Sequence, residues 1–334
     1  MSAAVQLRTA PGAAGARILG MGSHRPDRVV SNEEFLAHMD TSDEWIRSRT
    51  GIVSRHWAGS DEGVVDMSAA AASKALAAAG IAPDQVDLVV LATCTYPYHI
   101  NNASAQVATA IGTQGAGAAD VSAACAGFCY ALSWGADAIR SGSARYVVAI
   151  GAEKISDFLD LTDRGSAFIF GDGAGAAVLG PADVPGVGPV AWGSDGTQND
   201  AIRQEPSTVE ALRLGRQPVL AMNGTAVYRW ATSKLAPVAR RACELAGVEL
   251  ADLAGFIPHQ ANLRITDSLV KSLELGPGTV VARDIVDTGN TSAASVPLAL
   301  ARMVERGEIR TGDPVLLFAF GAGLTYAGQV IACP

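Results

Sequence analysis

Asp120-Val-Ser-Ala-Ala-Cys-Ala-Gly-Phe-Cys-Tyr-Ala-Leu-Ser-Trp134 reads as a short apolar strand, a turn of small residues and then a buried helix. Cys125 stands at the junction. The first unpaired N–H groups of the helix face a sulfur at that place, and the positive end of the helix dipole favours thiolate over thiol. Cys125 is therefore a candidate nucleophile. A buried intracellular cysteine is also an ordinary small hydrophobe, and Cys129, one turn further along, takes that reading.

The same pattern is written twice. Residues 67–79, Met-Ser-Ala-Ala-Ala-Ala-Ser-Lys-Ala-Leu-Ala-Ala-Ala, read as a helix closed by Gly80, and Asp87-Leu-Val-Val-Leu-Ala-Thr follows as a buried strand. Pro237-Val-Ala-Arg-Arg-Ala-Cys-Glu-Leu-Ala closes at Gly247 and leads to the strand Ala254-Gly-Phe-Ile-Pro-His259. The offset is 247 − 80 = 167 residues. At that offset Val86, Val89 and Val90 fall on Leu253, Phe256 and Ile257, and Asp120 falls on Asp287. The turn ending at Cys125 then overlies Asp287-Thr-Gly-Asn-Thr-Ser292, and the helices beginning at Ala126 and near Ala293 correspond. Each is followed by a buried strand, Tyr146-Val-Val-Ala-Ile-Gly and Pro314-Val-Leu-Leu-Phe-Ala-Phe-Gly. Half the chain separates the copies, which predicts two similar α/β halves packed face to face about a pseudo-twofold. Cys125, Asn290 and His259 can then converge where the halves meet.

Length and composition agree with two halves. The chain has 334 residues, 49% of them apolar, and 36 glycines that let backbones approach closely. We read residues 1–16 as a flexible tail, 17–184 as the half carrying the cysteine and 185–334 as the half carrying the histidine and asparagine. A net charge of −8, with no basic run longer than Arg240-Arg241, argues against a nucleic-acid ligand. Five scattered cysteines without a CxxC pair indicate a reduced compartment with neither a disulfide frame nor a zinc site. No segment approaches 18 uninterrupted apolar residues and the N-terminus lacks a signal-like apolar run, so a cytoplasmic protein with no membrane partner is expected. Arg17-Ile-Leu-Gly-Met-Gly reads as a strand, Ser31-Asn-Glu-Glu as a helix start, and Thr41 as the N-cap of a helix ended by Gly51, with Glu44 completing a capping box. Residues 195–217 read as polar, irregular and mobile.

His259, taken alone, reads equally as a satisfied core residue, and Asn290 as a turn or cap residue. Together with a thiol at a helix start they form a site for acyl transfer through a thioester. An amide neither gives nor takes a proton at neutral pH, so Asn290 and His259 facing one carbonyl suit stabilisation of an enolate or oxyanion. Gly171-Asp-Gly-Ala-Gly-Ala matches a loose dinucleotide pattern, but the following Ala176-Ala-Val-Leu reads as a strand rather than a helix, so a tight turn between strands is expected. Gly321-Ala-Gly, after the last buried strand of the second half, offers free N–H groups for an oxyanion hole.

These residues resemble the β-ketoacyl-ACP synthase III family of the thiolase superfamily. The likeness is carried by Ser122-Ala-Ala-Cys-Ala-Gly-Phe, Pro258-His-Gln-Ala-Asn-Leu-Arg-Ile, Gly289-Asn-Thr-Ser-Ala-Ala-Ser-Val-Pro, Phe170-Gly-Asp-Gly-Ala-Gly-Ala-Ala-Val-Leu and Thr41-Ser-Asp-Glu-Trp-Ile. It implies a thiolase-like fold of five layers, α/β/α/β/α, a homodimer, and a ping-pong reaction without cofactor. An acyl-CoA acylates Cys125; malonyl-ACP then loses CO2, and its enolate attacks the thioester. The resemblance implies that His259 and Asn290 support decarboxylation and hold the enolate oxygen. The N–H of Cys125 and the Gly321-Ala322-Gly323 turn hold the thioester oxyanion, with Phe320 as the aromatic beside the cysteine. It further implies CoA contacts at Trp45, Arg49 and Arg164, with Trp45 and Arg164 sandwiching the adenine.

Arg229 and Arg264 match carrier-docking positions within a basic stretch that also holds Lys234, Arg240, Arg241 and Lys271, as an acidic carrier requires. Ile100, in the loop that resembles the one crossing the dimer to close the acyl pocket, stands where some members have Phe. A smaller wall there admits a longer or branched starter. Two other functions stay open at this point: transfer of the acyl group to a non-malonyl acceptor, and a catalytically silent subunit that only binds acyl chains or carriers.

Overall fold

The computed structural model describes residues 10–334, so the first nine residues of the expected tail lie outside the described residues. The remainder of that tail is not loose. Ala13 N donates to Ile139 O at 3.3 Å, and the first strand, Gly15–His24, begins two residues inside it.

Two five-stranded sheets carry the fold. In the first, the spatial order is Gly15–His24, Gly173–Ala182, Val147–Glu153, Leu88–Ala92, Gly117–Val121; in the second it is Ala191–Ser194, Thr325–Ala332, Pro314–Gly321, Gly255–Pro258, Val280–Val281. Numbered along the chain within each sheet, both orders are 1-5-4-2-3. In each, two antiparallel pairings are followed by two parallel ones. The offset read from the sequence recurs in the strands, since 255 − 88 = 167 and 314 − 147 = 167.

Three apolar cores separate the layers. The helix Val64–Ala79 and its neighbour Ala103–Ala110 cover the outer face of the first sheet, and Gly224–Ala246 with Leu263–Leu273 covers the outer face of the second. Between the sheets lie the two related helices Gly127–Ser141 and Ser295–Glu305, whose Leu132, Val296 and Leu300 share one core with Val147 and Leu317. The result is the five-layered α/β/α/β/α arrangement. Val64–Ala79 and Gly224–Ala246 both end on a left-handed glycine, Gly80 at φ 64° and Gly247 at φ 66°, which accepts that conformation without a Cβ clash.

Several local expectations are corrected. The cap before Trp45 is Ser42, whose Oγ accepts from Trp45 N at 3.1 Å; Thr41 makes no such bond, because the helix Asp43–Thr50 starts one residue later than a Thr41 cap requires. The helix expected to begin at Pro237 begins at Gly224, and Pro237 is accommodated inside it. Phe168–Phe170 forms no strand, so Gly171 does not open the expected tight turn between strands. The segment is a run of turns with a single bridge from Phe170 to Asn290, and Gly173 enters a strand in the middle of the first sheet. Residues 195–217 are regular rather than irregular, forming a 3₁₀ turn, a strand Ile202–Glu205 paired with Val219–Met222, and the short helix Thr208–Leu214 capped by Ser207.

The halves touch backbone to backbone. A Cβ added at Gly151, in the central strand of the first sheet, would lie 2.2 Å from Ala293 O in the second half. Neither partner is a flexible side chain, so the overlap cannot relax cheaply. Gly151→Ala is therefore expected to lower unfolding stability by about 1–3 kcal/mol, read as a lower urea midpoint with unchanged slope; an unchanged midpoint contradicts this packing.

Candidate active site

Cys125 lies in a 3₁₀ turn, Ala124–Ala126, that leads into the central helix Gly127–Ser141. The residue before it, Ala124, sits at φ 45°, a left-handed conformation unusual for alanine. The second half repeats the device. Ser292, at φ 48°, opens the turn Ser292–Ala294 before Ser295–Glu305. The two turns meet, with Ser292 Oγ 3.3 Å from Cys125 Sγ.

The strand Pro314–Gly321 delivers the opposite wall. A Cβ at Gly321 would lie 2.7 Å from Cys125 N and 3.0 Å from its sulfur, so only glycine allows this approach. Burial pushes the Cys125 thiol up to about 12; the Ser292 hydroxyl and the backbone N–H groups of Cys125 and Ala322 pull the other way. The expected preference for thiolate is thus overturned. Removing the sulfur from water outweighs the N–H groups aimed at it, and the resting side chain is a neutral thiol.

His259 follows the strand Gly255–Pro258. Its N–H donates to Phe318 O at 2.7 Å, its Nδ1 is 2.7 Å from Ser295 Oγ, and its ring meets Phe320 edge-on with centroids 5.3 Å apart. Burial lowers its pKa to about 3, so the imidazole is neutral at physiological pH. Asn290 is fixed through its backbone, donating to Ile169 O at 2.8 Å and accepting from Gly171 N at 3.1 Å. Its Oδ1 accepts from Ser292 N at 2.8 Å, which leaves the amide NH2 as the group available to the cavity. The Gly171-Asp-Gly stretch is therefore the seat of the Asn290 turn: a Cβ at Gly171 would meet Thr288 O at 2.3 Å.

All three side chains line one cavity of about 910 Å³. Phe320, Gly321, Ala322 and Gly323 line it too, as do Trp45, Arg49, Arg164 and Arg264. The Arg164 guanidinium lies 4.4 Å from the centre of the Trp45 ring and that of Arg49 lies at 5.9 Å. Two expected residues stand apart. Arg229 is exposed on Gly224–Ala246, outside the lining, and Ile100 is fully exposed in its loop and does not reach this cavity from its own chain.

Family models place this geometry. The model for the 3-oxoacyl-[acyl-carrier-protein (ACP)] synthase III C terminal matches residues 243–333, and that for 3-oxoacyl-[acyl-carrier-protein (ACP)] synthase III matches residues 119–196. The β-ketoacyl-[acyl-carrier-protein] synthase III of Streptomyces glaucescens is 49% identical over 331 residues, which cover 98% of this chain and 99% of that one. The chain belongs to the β-ketoacyl-[acyl-carrier-protein] synthase III family. Its relative of the same name in Streptomyces lividans is 50% identical over 321 residues, covering 95% of this chain and 94% of that one. Among solved structures, the priming β-ketosynthase from the R1128 polyketide biosynthetic pathway superposes with a TM-score of 0.96 at 48% identity, covering 98% of each chain. The synthase III from Aquifex aeolicus VF5 superposes at 0.88 with 34% identity, covering 95% of this chain and all of that one. Among the described residues no helix is long and apolar enough to cross a membrane.

Sequence reasoning missed the polar groups beneath the cysteine, Ser292 and Glu153. One signal for Ser292 was present, since 125 + 167 = 292.

Burial of His259 has a consequence for stability. An unfolded imidazole protonates near 6.5 and the folded one at about 3, so between those values the unfolded chain holds the extra proton and stability falls as pH falls. His259→Gln is expected to lose less stability than wild type between pH 6.5 and pH 4 in urea titrations. Parallel losses in the two proteins would contradict the neutral, buried imidazole.

Proposed function

We propose that this condensing enzyme starts fatty-acid or polyketide chains by taking an acyl group from an acyl-CoA onto Cys125 and joining it to the malonyl carbon of malonyl-ACP. Loss of CO2 drives the second half. The observation that supports this reading most directly is the single cavity lined by Cys125, His259 and Asn290 and also by the Trp45–Arg164 stack.

In the first half-reaction the Cys125 sulfur attacks the thioester carbon, and the N–H groups of Cys125 and of the Gly321–Gly323 turn receive the oxyanion. Coenzyme A leaves as its thiol. In the second, malonyl-ACP breaks its bond to the carboxylate and the electron pair moves into an enolate. The Asn290 NH2 and the neutral His259 ring are donors for that enolate oxygen, oriented before the charge develops. The enolate carbon attacks the acyl-cysteine, the C–S bond breaks, and the cysteine leaves as a thiolate that takes up one proton from solvent to return to its resting thiol.

The adenine end of coenzyme A fits the Trp45 face. Arg164 covers that face directly, so an inserted base displaces the guanidinium and stacks in its place. Arg264, near the cavity mouth with its guanidinium 5.4 Å from the centre of the Tyr228 ring, and exposed Arg229 give an acidic carrier a basic landing surface. A second copy of the chain would bring its Ile100 to the acyl pocket, in line with the family's dimer. The acyl-CoA and malonyl-ACP are substrates, and the scheme uses no cofactor.

Intact-mass spectrometry after incubation with a panel of acyl-CoAs is expected to show an acyl adduct on the wild type and none on Cys125→Ala. An adduct that survives the substitution would overturn the assignment. Asn290→Ala is expected to slow CO2 release from malonyl-ACP by about 10²–10³-fold while leaving acylation of Cys125 near the wild-type rate; equal loss of both steps would contradict the enolate role.

A further inference from the structure

The strand Val147–Glu153 is buried at every position, and it ends with a carboxylate that has no surface exposure. No cation faces it. The neighbouring Lys154 turns its Nζ away to Gly59 O at 2.8 Å and towards Asp157. Instead five donors converge on Glu153: Thr93 Oγ1 at 3.2 Å, Thr95 Oγ1 at 2.7 Å, Cys94 N at 3.1 Å, Cys94 Sγ at 3.2 Å and Ser292 Oγ at 3.1 Å. Thr95 Oγ1 accepts from Lys154 N at 2.8 Å, which commits its own proton to the carboxylate.

Ser292 Oγ touches both Glu153 Oε1 and Cys125 Sγ. At rest Ser292 donates to Cys125 Sγ; a hydroxyl has one proton, so when it turns that proton to the Glu153 carboxylate, which can only accept, its oxygen is freed to receive the Cys125 S–H. We propose, resting on Cys125 as the acylated residue, that Glu153 is the resting-state proton acceptor for this cysteine, acting through Ser292. Ser292 touches the reacting sulfur and is catalytic in this account; Glu153 acts through it and is a positioning residue.

The step balances without any added reagent. The Cys125 S–H bond breaks and its proton passes to Ser292 Oγ, whose own proton passes to Glu153. The sulfur electron pair forms the new C–S bond with the acyl-CoA carbonyl carbon. When the tetrahedral intermediate collapses, the departing coenzyme A sulfur takes the proton back along the same path, and Glu153 is again a carboxylate. His259 is a weaker acceptor at rest, since burial lowers its pKa to about 3 whereas burial raises that of Glu153. The other titratable groups facing Glu153 are the two thiols, Cys94 and Cys125, both neutral at rest because burial raises them.

The test reads the rate at which iodoacetamide alkylates Cys125 between pH 6 and pH 9, followed on the Cys125 peptide by mass spectrometry so that Cys94 is scored separately. This readout needs no acyl-CoA, so it stands apart from the substrate assignment: an acyl adduct on Cys125→Ala would sink that assignment and leave this result to be judged alone. Glu153→Gln is expected to alkylate about 10²-fold more slowly at pH 7, with a rate that climbs about tenfold per pH unit as hydroxide replaces the lost acceptor. Glu153→Asp is expected to recover part of the wild-type rate. A purely electrostatic carboxylate predicts the opposite sign, because removing its negative charge lowers the thiol pKa and speeds alkylation. An unchanged or faster Glu153→Gln rate would therefore overturn the proposal. Ser292→Ala serves where the buried amide disturbs folding, since Ala124 shows that alanine accepts the same left-handed φ; it is expected to slow alkylation with the same pH dependence, and a wild-type profile would overturn the relay.

Discussion

The site depends on a steric constraint: two halves of one chain approach so closely that their contact points have no room for a Cβ. Gly151 lies against Ala293 O, Gly171 against Thr288 O, and Gly321 against the nitrogen and sulfur of Cys125. Each contact places a functional group. The first presses the turn of the second half onto the central strand of the first, the second seats Asn290, and the third brings N–H groups to the cysteine. Glycine at such places costs backbone entropy in the unfolded chain, and the fold recovers it through the three apolar cores that hold the layers together.

Burial then sets the chemistry. It keeps the thiol and the imidazole neutral and raises the Glu153 carboxyl as well. Neutral donors beside the cysteine suit a reaction whose charge appears first on a thioester oxygen and then on an enolate, because donors oriented beforehand need no reorganisation as the charge develops. The proton on the thiol must nevertheless go somewhere, and Ser292, in contact with both Cys125 and Glu153, leads to the carboxylate buried at the end of the first sheet's central strand.

Much of this was legible in the chain. The offset of 167 residues between Gly80 and Gly247 recurs in the strands beginning at Leu88 and Gly255, and in those beginning at Val147 and Pro314, because each pair is the same layer of a duplicated unit. Buried strands and glycine-capped helices announce themselves through local pattern. The cap at Ser42 and the start at Gly224 did not, since Thr41 and Ser42 are equally good caps and a proline normally opens a helix rather than sitting inside one. The regular structure of residues 195–217 includes the pairing of Ile202–Glu205 with Val219–Met222, which polar composition conceals. The ionisation of Cys125 was misjudged for a different reason. Helix position is visible in sequence, whereas the desolvation that outweighs it exists only once both halves have closed over the sulfur. Glu153 and Ser292 meet across 139 residues of chain, so their partnership belongs to the tertiary structure alone.

The central claim is that both halves converge on one thioester carbon, and the structure of the acylated enzyme tests it most directly. A crystal structure of the protein trapped with its acyl group attached should show the acyl carbon on Cys125, its carbonyl oxygen about 3 Å from the N–H groups of Cys125 and the Gly321–Gly323 turn, and the space before it flanked by His259 and the Asn290 NH2. An acyl group borne by Cys94, or a carbonyl turned away from both donors with Asn290 out of reach, would contradict the account.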